Sequence, residues 1–212
     1  MQREIEHSWQ ELVNTLVRGG TLRTPRIIAA FQEILRSLFV PPEHARAAVT
    51  VDAPLSIGQG QTVSQPTTVA TILELLQPQP GEKILDIGTG SGWQAALLAH
   101  IVGSTGNVFT IERIPELARR AAIPLKQFPN VTPLVGDATR GVPEHAPYDV
   151  IVSAASSPNV PSAWSEQLVP AGRLLHPIAG MGLRLLVKNV QGQLSQEDYP
   201  GFVFVPLISD NP

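Results

Sequence analysis

The chain has 212 residues, of which 43% are hydrophobic and 16% are charged, and its 15 Lys and Arg residues against 18 Asp and Glu residues give a net charge of −3. This length predicts one domain with a core of its own, since domains average roughly 150 residues, and the absence of cysteine excludes disulfides, thiolate metal sites and cysteine nucleophiles. The slightly acidic balance argues against a nucleic-acid surface, and no apolar run reaches the roughly 18 residues of a membrane span.

The N-terminal quarter is predicted to be helical. Its first residues are charged and contain no apolar segment of a signal peptide, so we expect a cytoplasmic protein, and nothing indicates an obligate oligomer, so we expect a monomer. Apolar residues recur at helical spacing over 5–17 and over 27–38. Thr24 is the predicted N-cap of the second helix, and a proline pair beginning at Pro41 ends it. Residues 50–64 have no helical period, which predicts a loop.

The middle of the chain alternates between strand and helix patterns. After a short helix (Val69–Leu76), the predicted strands are Lys83–Ile87, Asn107–Glu112, Val131–Val135 and Asp149–Ser153. The predicted helices near them lie at 93–101, 114–122 and 161–168. Three more strands are predicted at Gly172–Ile178, Leu183–Val190 and Phe202–Leu207. The sequence therefore predicts an α/β fold: a doubly wound, mostly parallel, Rossmann-like sheet with N-terminal helices and an antiparallel C-terminal edge.

A glycine-rich turn separates the first of these strands from its helix, in the segment ILDIGTGSGW at residues 84–93. Gly88, Gly90 and Gly92 allow the backbone to approach a ligand closely, and the next helix offers free N–H groups at its N-terminus. A dinucleotide fingerprint requires glycine where this chain has Trp93. The spacing instead resembles motif I of class I S-adenosylmethionine methyltransferases.

Two acidic residues follow the next two strands. Glu112 ends its strand 20 residues after Gly92, where a carboxylate can accept hydrogen bonds from both ribose hydroxyls of either an adenosyl or a nicotinamide cofactor. Asp137 can accept the exocyclic amino group of adenine, or it can cap a turn. Because ligands of open α/β sheets bind at the carboxyl ends of strands, the glycine loop and the two acids together predict an adenosyl cofactor.

Residues 53–70, APLSIGQGQTVSQPTTVA, resemble the signature of the protein-L-isoaspartate O-methyltransferase family, which runs close to PLPIGxGQTISQPxxVA. Shorter matches to the family follow the same order along the chain, at residues 22–26, 38–41, 111–117, 143–149 and 204–207. The resemblance implies methylation of the α-carboxylate of L-isoaspartyl residues in damaged proteins. It implies S-adenosyl-L-methionine as cofactor, S-adenosyl-L-homocysteine as product, no metal, and isoaspartyl proteins and peptides as partners.

The resemblance also implies roles for single residues. Ser64 lies on the family's active-site serine. The implied cofactor-binding residues are Gln61, Thr62, Val63, Ser64, Asp86, Gly88, Gly90, Ser91, Gly92, Glu112, Arg113, Asp137 and Ala138. The single domain (1–212) then divides into N-terminal helices with a substrate loop (1–65), a cofactor-binding βα core (66–170) and C-terminal strands (171–212).

The chain departs from the family pattern at three places. Thr67 stands where bacterial members usually have an aromatic residue, and Ala138 stands where glycine is usual. Ser153-Ala-Ala155 replaces the usual Val-Thr-Ala. The first departure concerns peptide affinity and the second concerns cofactor affinity.

Other interpretations remain open for several residues. Ser64 can be a helix N-cap. The chain can be a class I methyltransferase for another carboxylate or a small molecule, or a non-catalytic cofactor-binding protein.

Trp9 and Trp164 are expected in the core, whereas Trp93 is expected beside the cofactor. The segment Tyr199–Leu207 is expected to form an antiparallel edge strand that walls a peptide cleft together with residues 53–66. The five histidines have no metal-ligand spacing.

Overall fold

The computed structural model describes residues 2–209, so Met1 and residues 210–212 lie outside the described residues. The α-helices in this range are α1 (Gln2–Arg18), α2 (Pro25–Glu33), α3 (Ala45–Thr50), α4 (Pro66–Leu76), α5 (Trp93–Val102), α6 (Pro115–Leu125) and α7 (Ser162–Glu166). The strands are β1 (Leu55–Gly58), β2 (Gln61–Val63), β3 (Lys83–Ile87), β4 (Asn107–Glu112), β5 (Val131–Val135), β6 (Tyr148–Ser153), β7 (Leu168–Ile178), β8 (Gly182–Lys188) and β9 (Leu194–Tyr199).

The central sheet has seven strands in the order β5-β4-β3-β6-β7-β8-β9. The strands from β5 to β7 are parallel, and β8 and β9 continue the sheet antiparallel. The chain runs outward from β3 to β5 and then returns to the other side of β3, so the strand order reverses between β3 and β6. In open α/β sheets a ligand crevice forms at such a reversal, outside the carboxyl ends of the strands. The predicted fold class is confirmed.

Both faces of the central strands are buried. Ile84 and Val150 pack into a core cluster with the N-terminal helices, whereas Leu85 and Ile151 pack on the opposite face with Trp164. This division follows from the strand geometry, since successive side chains point to opposite faces. Trp9 and Trp164 are fully buried, as expected.

Two predictions for the N-terminal region are wrong. Residues 50–64 contain the hairpin β1–β2, in which Leu55 faces Val63 across a tight turn with positive φ at Gly58, Gln59 and Gly60. Strands of four and three residues are too short to display an alternating pattern. The second helix ends at Glu33, because the backbone becomes extended at Ile34 before a single 3₁₀ turn at Arg36–Phe39.

The last predicted strand is also wrong. The edge strand is β9, whose side chains are almost all polar and exposed, so it lacks the apolar pattern on which the prediction rested. Residues 202–207 form a single bridge with the segment after β6, in which the Ser156 N–H donates to the Val205 carbonyl at 2.8 Å and the Leu207 N–H donates to the Ser156 carbonyl at 2.7 Å. Pro206 has no N–H to extend this pairing. The other predicted elements are present, with ends shifted by at most four residues.

Candidate active site

An open cleft of about 590 Å³ lies at the carboxyl ends of β3, β4 and β6. The strand ends form its floor, the hairpin β1–β2 lies on one side, and the C-terminal segment lies on another. Its lining residues are Gln61, Thr62, Ile87, Gly88, Gly90, Ile111, Glu112, Arg113, Ile114, Gly136, Ala138, Ala154, Ala155 and Val205–Ile208. We call this space the cofactor cleft.

The glycine loop between β3 and α5 forms one wall of the cofactor cleft. Gly88, Gly90 and Gly92 all have positive φ, of 86°, 54° and 89°, which side-chain-bearing residues rarely adopt. A Cβ atom on Gly92 would also lie only 3.2 Å from the Leu125 side chain. Gly92 is the N-cap of α5, whereas Ser91 accepts a hydrogen bond from the Trp93 N–H and lines a separate groove on the far side of the loop.

Glu112 joins the glycine loop to the end of β4. One carboxylate oxygen accepts the Gly90 N–H at 2.8 Å, and the other accepts the Ile114 N–H at 2.9 Å. The residue is 7% exposed and lines the cleft. A carboxylate has about four acceptor positions. Each oxygen therefore retains a lone pair for a donor in the cleft.

Asp86 lies beneath the glycine loop and not in the cleft lining. It is fully buried, and its carboxylate accepts hydrogen bonds from Gln94 and Thr110, both at 2.8 Å. Burial raises the pKa of Asp86 to about 6, the two hydrogen bonds oppose that rise, and the charge of Glu112 adds to it. In this position Asp86 supports the loop from below.

The turn after β5 forms another part of the cofactor cleft. Ala138 and Gly136 line the cleft, while the Asp137 carboxylate accepts the Thr139 N–H at 2.8 Å. The turn-capping role considered for Asp137 is therefore present. Arg113 lines the cleft beside Glu112.

A second cleft, of about 710 Å³, adjoins the first. Its lining residues are Pro54, Thr62, Ser64, Gln65, Thr68, Ala154, Val203, Phe204 and Val205. Three of them, Thr62, Ala154 and Val205, also line the cofactor cleft. The two spaces therefore meet at these residues, and we call the second space the acceptor cleft.

Ser64 is half-buried in the acceptor cleft, and its hydroxyl forms no hydrogen bond with any residue from 2 to 209. The N-cap of α4 is Gln65, so the interpretation of Ser64 as a helix cap is wrong. Val63 points away from both clefts and is buried in the core at 4% exposure. The expected adjacency of the C-terminal segment and residues 53–66 is present, although that segment is not a strand.

Several cleft residues were missed by the sequence prediction. Ile87, Ile111 and Ala154 follow from one rule, because each lies at the carboxyl end of a parallel strand. Residues 205–207 were expected only at the peptide cleft, as part of the segment Tyr199–Leu207, and not in the lining of the cofactor cleft. Trp93 was wrongly expected beside the cofactor: it is 1% exposed and packs against Trp9 and Phe31.

His176 of β7 contacts the segment that follows β6. The ring is fully buried, with Nε2 2.7 Å from the Ser157 Oγ. Because that hydroxyl donates to the Asn159 carbonyl at 2.5 Å, Nε2 carries the proton and donates to Oγ. Nδ1 is buried without a partner. Burial, with a smaller effect from the Arg184 charge, lowers the pKa of His176 to about 4.

We expect His176 to make stability fall in acid. The unfolded chain binds a proton near pH 6.5, whereas folded His176 stays neutral down to about pH 4, so its contribution is complete above pH 6.5 and is lost as the pH falls to 4. The difference between the two pKa values corresponds to about 3 kcal/mol at most. Asp86 acts in the opposite direction, because its raised pKa makes the folded state gain stability as the pH falls below 6.

The test therefore compares the free energy of unfolding of a His176 variant with that of the unchanged protein at each pH. Urea unfolding from pH 7 to 4 should make His176→Gln progressively more stable relative to the unchanged protein. The exposed His100 provides the control, since His100→Gln should track the unchanged protein throughout. A constant difference for His176→Gln across this range would contradict the assignment.

Among residues 2–209, no helix is long and apolar enough to cross a membrane, and no group of three or more His, Cys, Asp or Glu side chains is arranged to hold a metal ion. The open α/β sheet, the glycine loop and the carboxylate at the adjoining strand end together define an α/β protein with a site for a nucleoside-containing cofactor at the carboxyl ends of its strands.

Comparisons with known proteins identify the family. The model of protein-L-isoaspartate(D-aspartate) O-methyltransferase matches residues 7–211. A protein-L-isoaspartate O-methyltransferase of Aeropyrum pernix is 43% identical over 94% of this chain and 79% of its own length, and one of Methanopyrus kandleri is 42% identical over 95% and 91%. The chain belongs to the protein-L-isoaspartate(D-aspartate) O-methyltransferase family.

Solved structures agree with this assignment. A protein-L-isoaspartate O-methyltransferase superposes with a TM-score of 0.82 at 29% identity over 93% of this chain, which spans 65% of that protein. A putative family member from Plasmodium falciparum, solved with S-adenosyl-L-homocysteine, shares the fold with a TM-score of 0.81 at 20% identity, over 94% of this chain and 98% of its own. The chain is thus an S-adenosylmethionine-dependent O-methyltransferase of this family.

Proposed function

We propose that the methyl group passes from S-adenosylmethionine in the cofactor cleft to the α-carboxylate of an L-isoaspartyl residue in the acceptor cleft. The observation that carries this proposal is the junction of the two clefts at Thr62, Ala154 and Val205. A sulfonium methyl group at the end of one cleft can there meet a carboxylate at the end of the other. Direct transfer needs such contact, because the reacting atoms must approach to about 3–3.5 Å.

The cofactor roles follow the order of the lining residues. Glu112 accepts the ribose hydroxyls with the lone pairs that the two backbone N–H groups leave free. Asp137 and Ala138 lie at the adenine end. The glycine loop and Gln61 with Thr62 flank the methionine portion of the cofactor.

Ser64 is assigned to alignment of the acceptor. An isoaspartyl carboxylate has a reference pKa of about 3.9 and is ionised near neutrality, so the in-line displacement requires no general base. Residues 53–66 contain no His, Asp or Glu. The unpaired hydroxyl of Ser64 can donate to one carboxylate oxygen and so direct the other towards the methyl group.

The decisive experiment uses an isoaspartyl peptide, its aspartyl twin and labelled S-adenosylmethionine. We expect methyl incorporation only into the isoaspartyl peptide. Equal incorporation into both peptides would favour a broader carboxyl methyltransferase. Binding of S-adenosylhomocysteine without turnover on either peptide would favour a non-catalytic protein.

Val203 gives a test of the acceptor cleft that spares the cofactor. Its side chain is 97% exposed and lines only the acceptor cleft, whereas Val205 lines both. Val203→Asp should raise the KM for an isoaspartyl peptide about three- to tenfold, because a like charge near the acceptor carboxylate costs about 1 kcal/mol in a wet site. The affinity for S-adenosylhomocysteine, measured by calorimetry, should not change.

The matched control is Val190→Asp, since Val190 is 71% exposed and lines neither cleft. It should leave both constants unchanged. An unaltered peptide KM in Val203→Asp would remove the C-terminal segment from the peptide site.

The remaining proposals concern the domain organisation, the cellular location, the oligomeric state and the partners of the enzyme. We propose one methyltransferase domain acting as a cytoplasmic monomer, with protein and peptide substrates and without nucleic-acid or membrane partners. The net charge of −3 argues against a nucleic-acid partner. Light scattering after size exclusion tests the monomer directly.

A further inference from the structure

Arg36 is a fully buried cation that binds only main-chain carbonyl groups. It lies in the 3₁₀ turn after α2, and its two terminal nitrogens lie within hydrogen-bond distance of five carbonyl oxygens in residues 48–64, whereas Nε is buried without a partner among residues 2–209. Nη1 donates to the Ala48 and Val51 carbonyls, both at 3.4 Å. Nη2 donates its two hydrogens to the carbonyls of Ala53 at 2.8 Å and Ser64 at 3.0 Å, and it also lies 3.4 Å from the Val63 carbonyl. The guanidinium carbon lies 5.5 Å from the Trp93 ring centroid.

These acceptors lie at the two ends of the hairpin β1–β2. The Ala53 carbonyl precedes β1, and the Ser64 carbonyl follows β2. Since one nitrogen binds both, the two oxygens cannot lie more than about 6 Å apart. A single side chain therefore closes the base of the hairpin that carries Thr62 into the junction of the clefts, and it binds the main chain of Ser64 itself.

Such a site is unusual for a structural arginine. A buried guanidinium is expensive to desolvate, and such groups normally face a carboxylate. None of the carboxylates among residues 2–209 forms an ion pair with Arg36, although the Asp52 charge acts on it through space. Burial lowers the pKa of Arg36 to about 10, opposed by Asp52, so the group remains charged at neutral pH.

A second contact holds the same segment from outside. The Asp52 carboxylate accepts the Thr67 N–H at 2.9 Å and also accepts the Thr67 hydroxyl. It ties the start of the hairpin to the first turn of α4. The Thr67 hydroxyl makes a hydrogen bond that an aromatic ring, which bacterial members of the family usually have at this position, could not make.

We infer that Arg36 is a positioning residue for methyl transfer, which holds the Ser64 hydroxyl in line with the junction of the two clefts. This inference rests on the alignment role proposed for Ser64. Arginine suits the task because its planar guanidinium directs four terminal N–H donors from two nitrogens in fixed directions, whereas lysine presents three from one flexible atom. Lysine at this position keeps the charge and loses the simultaneous hold on Ala53 and Ser64.

The test compares Arg36→Lys and Arg36→Met with a matched control. Arg173 also holds main-chain carbonyls, those of Leu76 and Gln77, but its remaining bonds are to Glu82, and it lies outside both clefts. We expect both Arg36 variants to lose at least tenfold in kcat for an isoaspartyl peptide, with the Kd for S-adenosylhomocysteine changed less than about twofold. Arg173→Lys should lower the melting temperature and keep kcat within about twofold.

A double-mutant cycle separates positioning from general stability. If Arg36 acts through Ser64, Arg36→Lys should cost less than about twofold in a Ser64→Ala background, because the hydroxyl that it positions is absent. Multiplicative losses in the cycle would overturn the inference. So would unchanged kcat in both Arg36 variants, or failure of both to fold under conditions where Arg173→Lys folds, since Arg36 would then be a folding determinant only.

The same variants distinguish the inference from the proposed function. A normal kcat for Ser64→Ala refutes the alignment role of Ser64, and with it the route assigned to Arg36. A slow Ser64→Ala enzyme combined with normal Arg36 variants refutes only the role of Arg36.

Discussion

Ser64→Ala is expected to lose at least a hundredfold in kcat while the Kd for S-adenosylhomocysteine stays within about twofold. The hydroxyl has no hydrogen-bond partner among residues 2–209 and lies in the acceptor cleft, so the substitution removes a group without leaving another unpaired. A misplacement of a reacting group by about 1 Å can cost about 10² in rate. Single-turnover methylation of an isoaspartyl peptide at saturating cofactor measures the loss directly.

The control for this substitution lies on the same hairpin. Ser56 is an exposed residue of β1 that lines neither cleft, so Ser56→Ala should keep the rate of the unchanged enzyme. Because the acceptor is already ionised, the rate should also be flat from about pH 6 to 8. A steep rise that follows a single ionisation near pH 7 would reveal a general base and contradict the alignment role.

The central sheet could be predicted because its signal is local. Strands β3 and β6 are buried on both faces, so most of their residues are apolar, and turn residues or charged residues lie at their ends. Their order along the chain is enough to place the carboxyl ends side by side. The glycine loop and Glu112 were found by the same reasoning.

The hairpin and the C-terminal segment could not be predicted because their conformations depend on distant groups. The base of the hairpin is closed by Arg36, whose target carbonyls lie up to 28 residues away and leave no trace in side-chain patterning. The C-terminal segment is held by Ser156, 49 residues before Val205. An apolar run such as 202–207 is equally consistent with a strand and with a segment that packs over a cleft.

Asp86 and Glu112 show that a sequence pattern does not tell which of two neighbouring strand positions reaches the cleft. Both residues occur near strand ends, and the family resemblance implied that both bind the cofactor. Glu112 is the last residue of β4 and reaches the opening, whereas Asp86 lies one residue inside β3 and is covered by Gln94 of α5. A shift of one position along a strand thus separates a group that can bind ligand from one that supports the loop.

Glu112→Gln, which removes the charge but keeps the size of the side chain, is expected to weaken cofactor binding almost as much as Glu112→Ala. Each of its two oxygens accepts a backbone N–H, and the residue also lines the cleft. The side-chain amide of glutamine has only one acceptor oxygen. It can therefore accept one of these N–H groups, and its NH₂ group must then face the other N–H, donor against donor. We therefore expect Glu112→Gln to bind S-adenosylhomocysteine at least tenfold more weakly, close to Glu112→Ala. Hydrogen bonds to a charged group contribute about 1.5–3 kcal/mol each.

The two variants should also be less stable without ligand, because the glycine loop and the turn at Ile114 lose their common anchor. A residue that served only the ribose would leave the melting temperature of the free protein unchanged. Calorimetric Kd values and melting temperatures with and without S-adenosylhomocysteine separate these cases, since a ligand that binds only the folded state raises stability according to its affinity.

Glu116→Ala is the charge-matched control, as that carboxylate lies on α6, pairs with Arg119 and lines neither cleft. Unchanged affinity in Glu112→Gln would mean that the cofactor ribose lies elsewhere, and a normal melting temperature would mean that the glycine loop keeps its shape without the carboxylate.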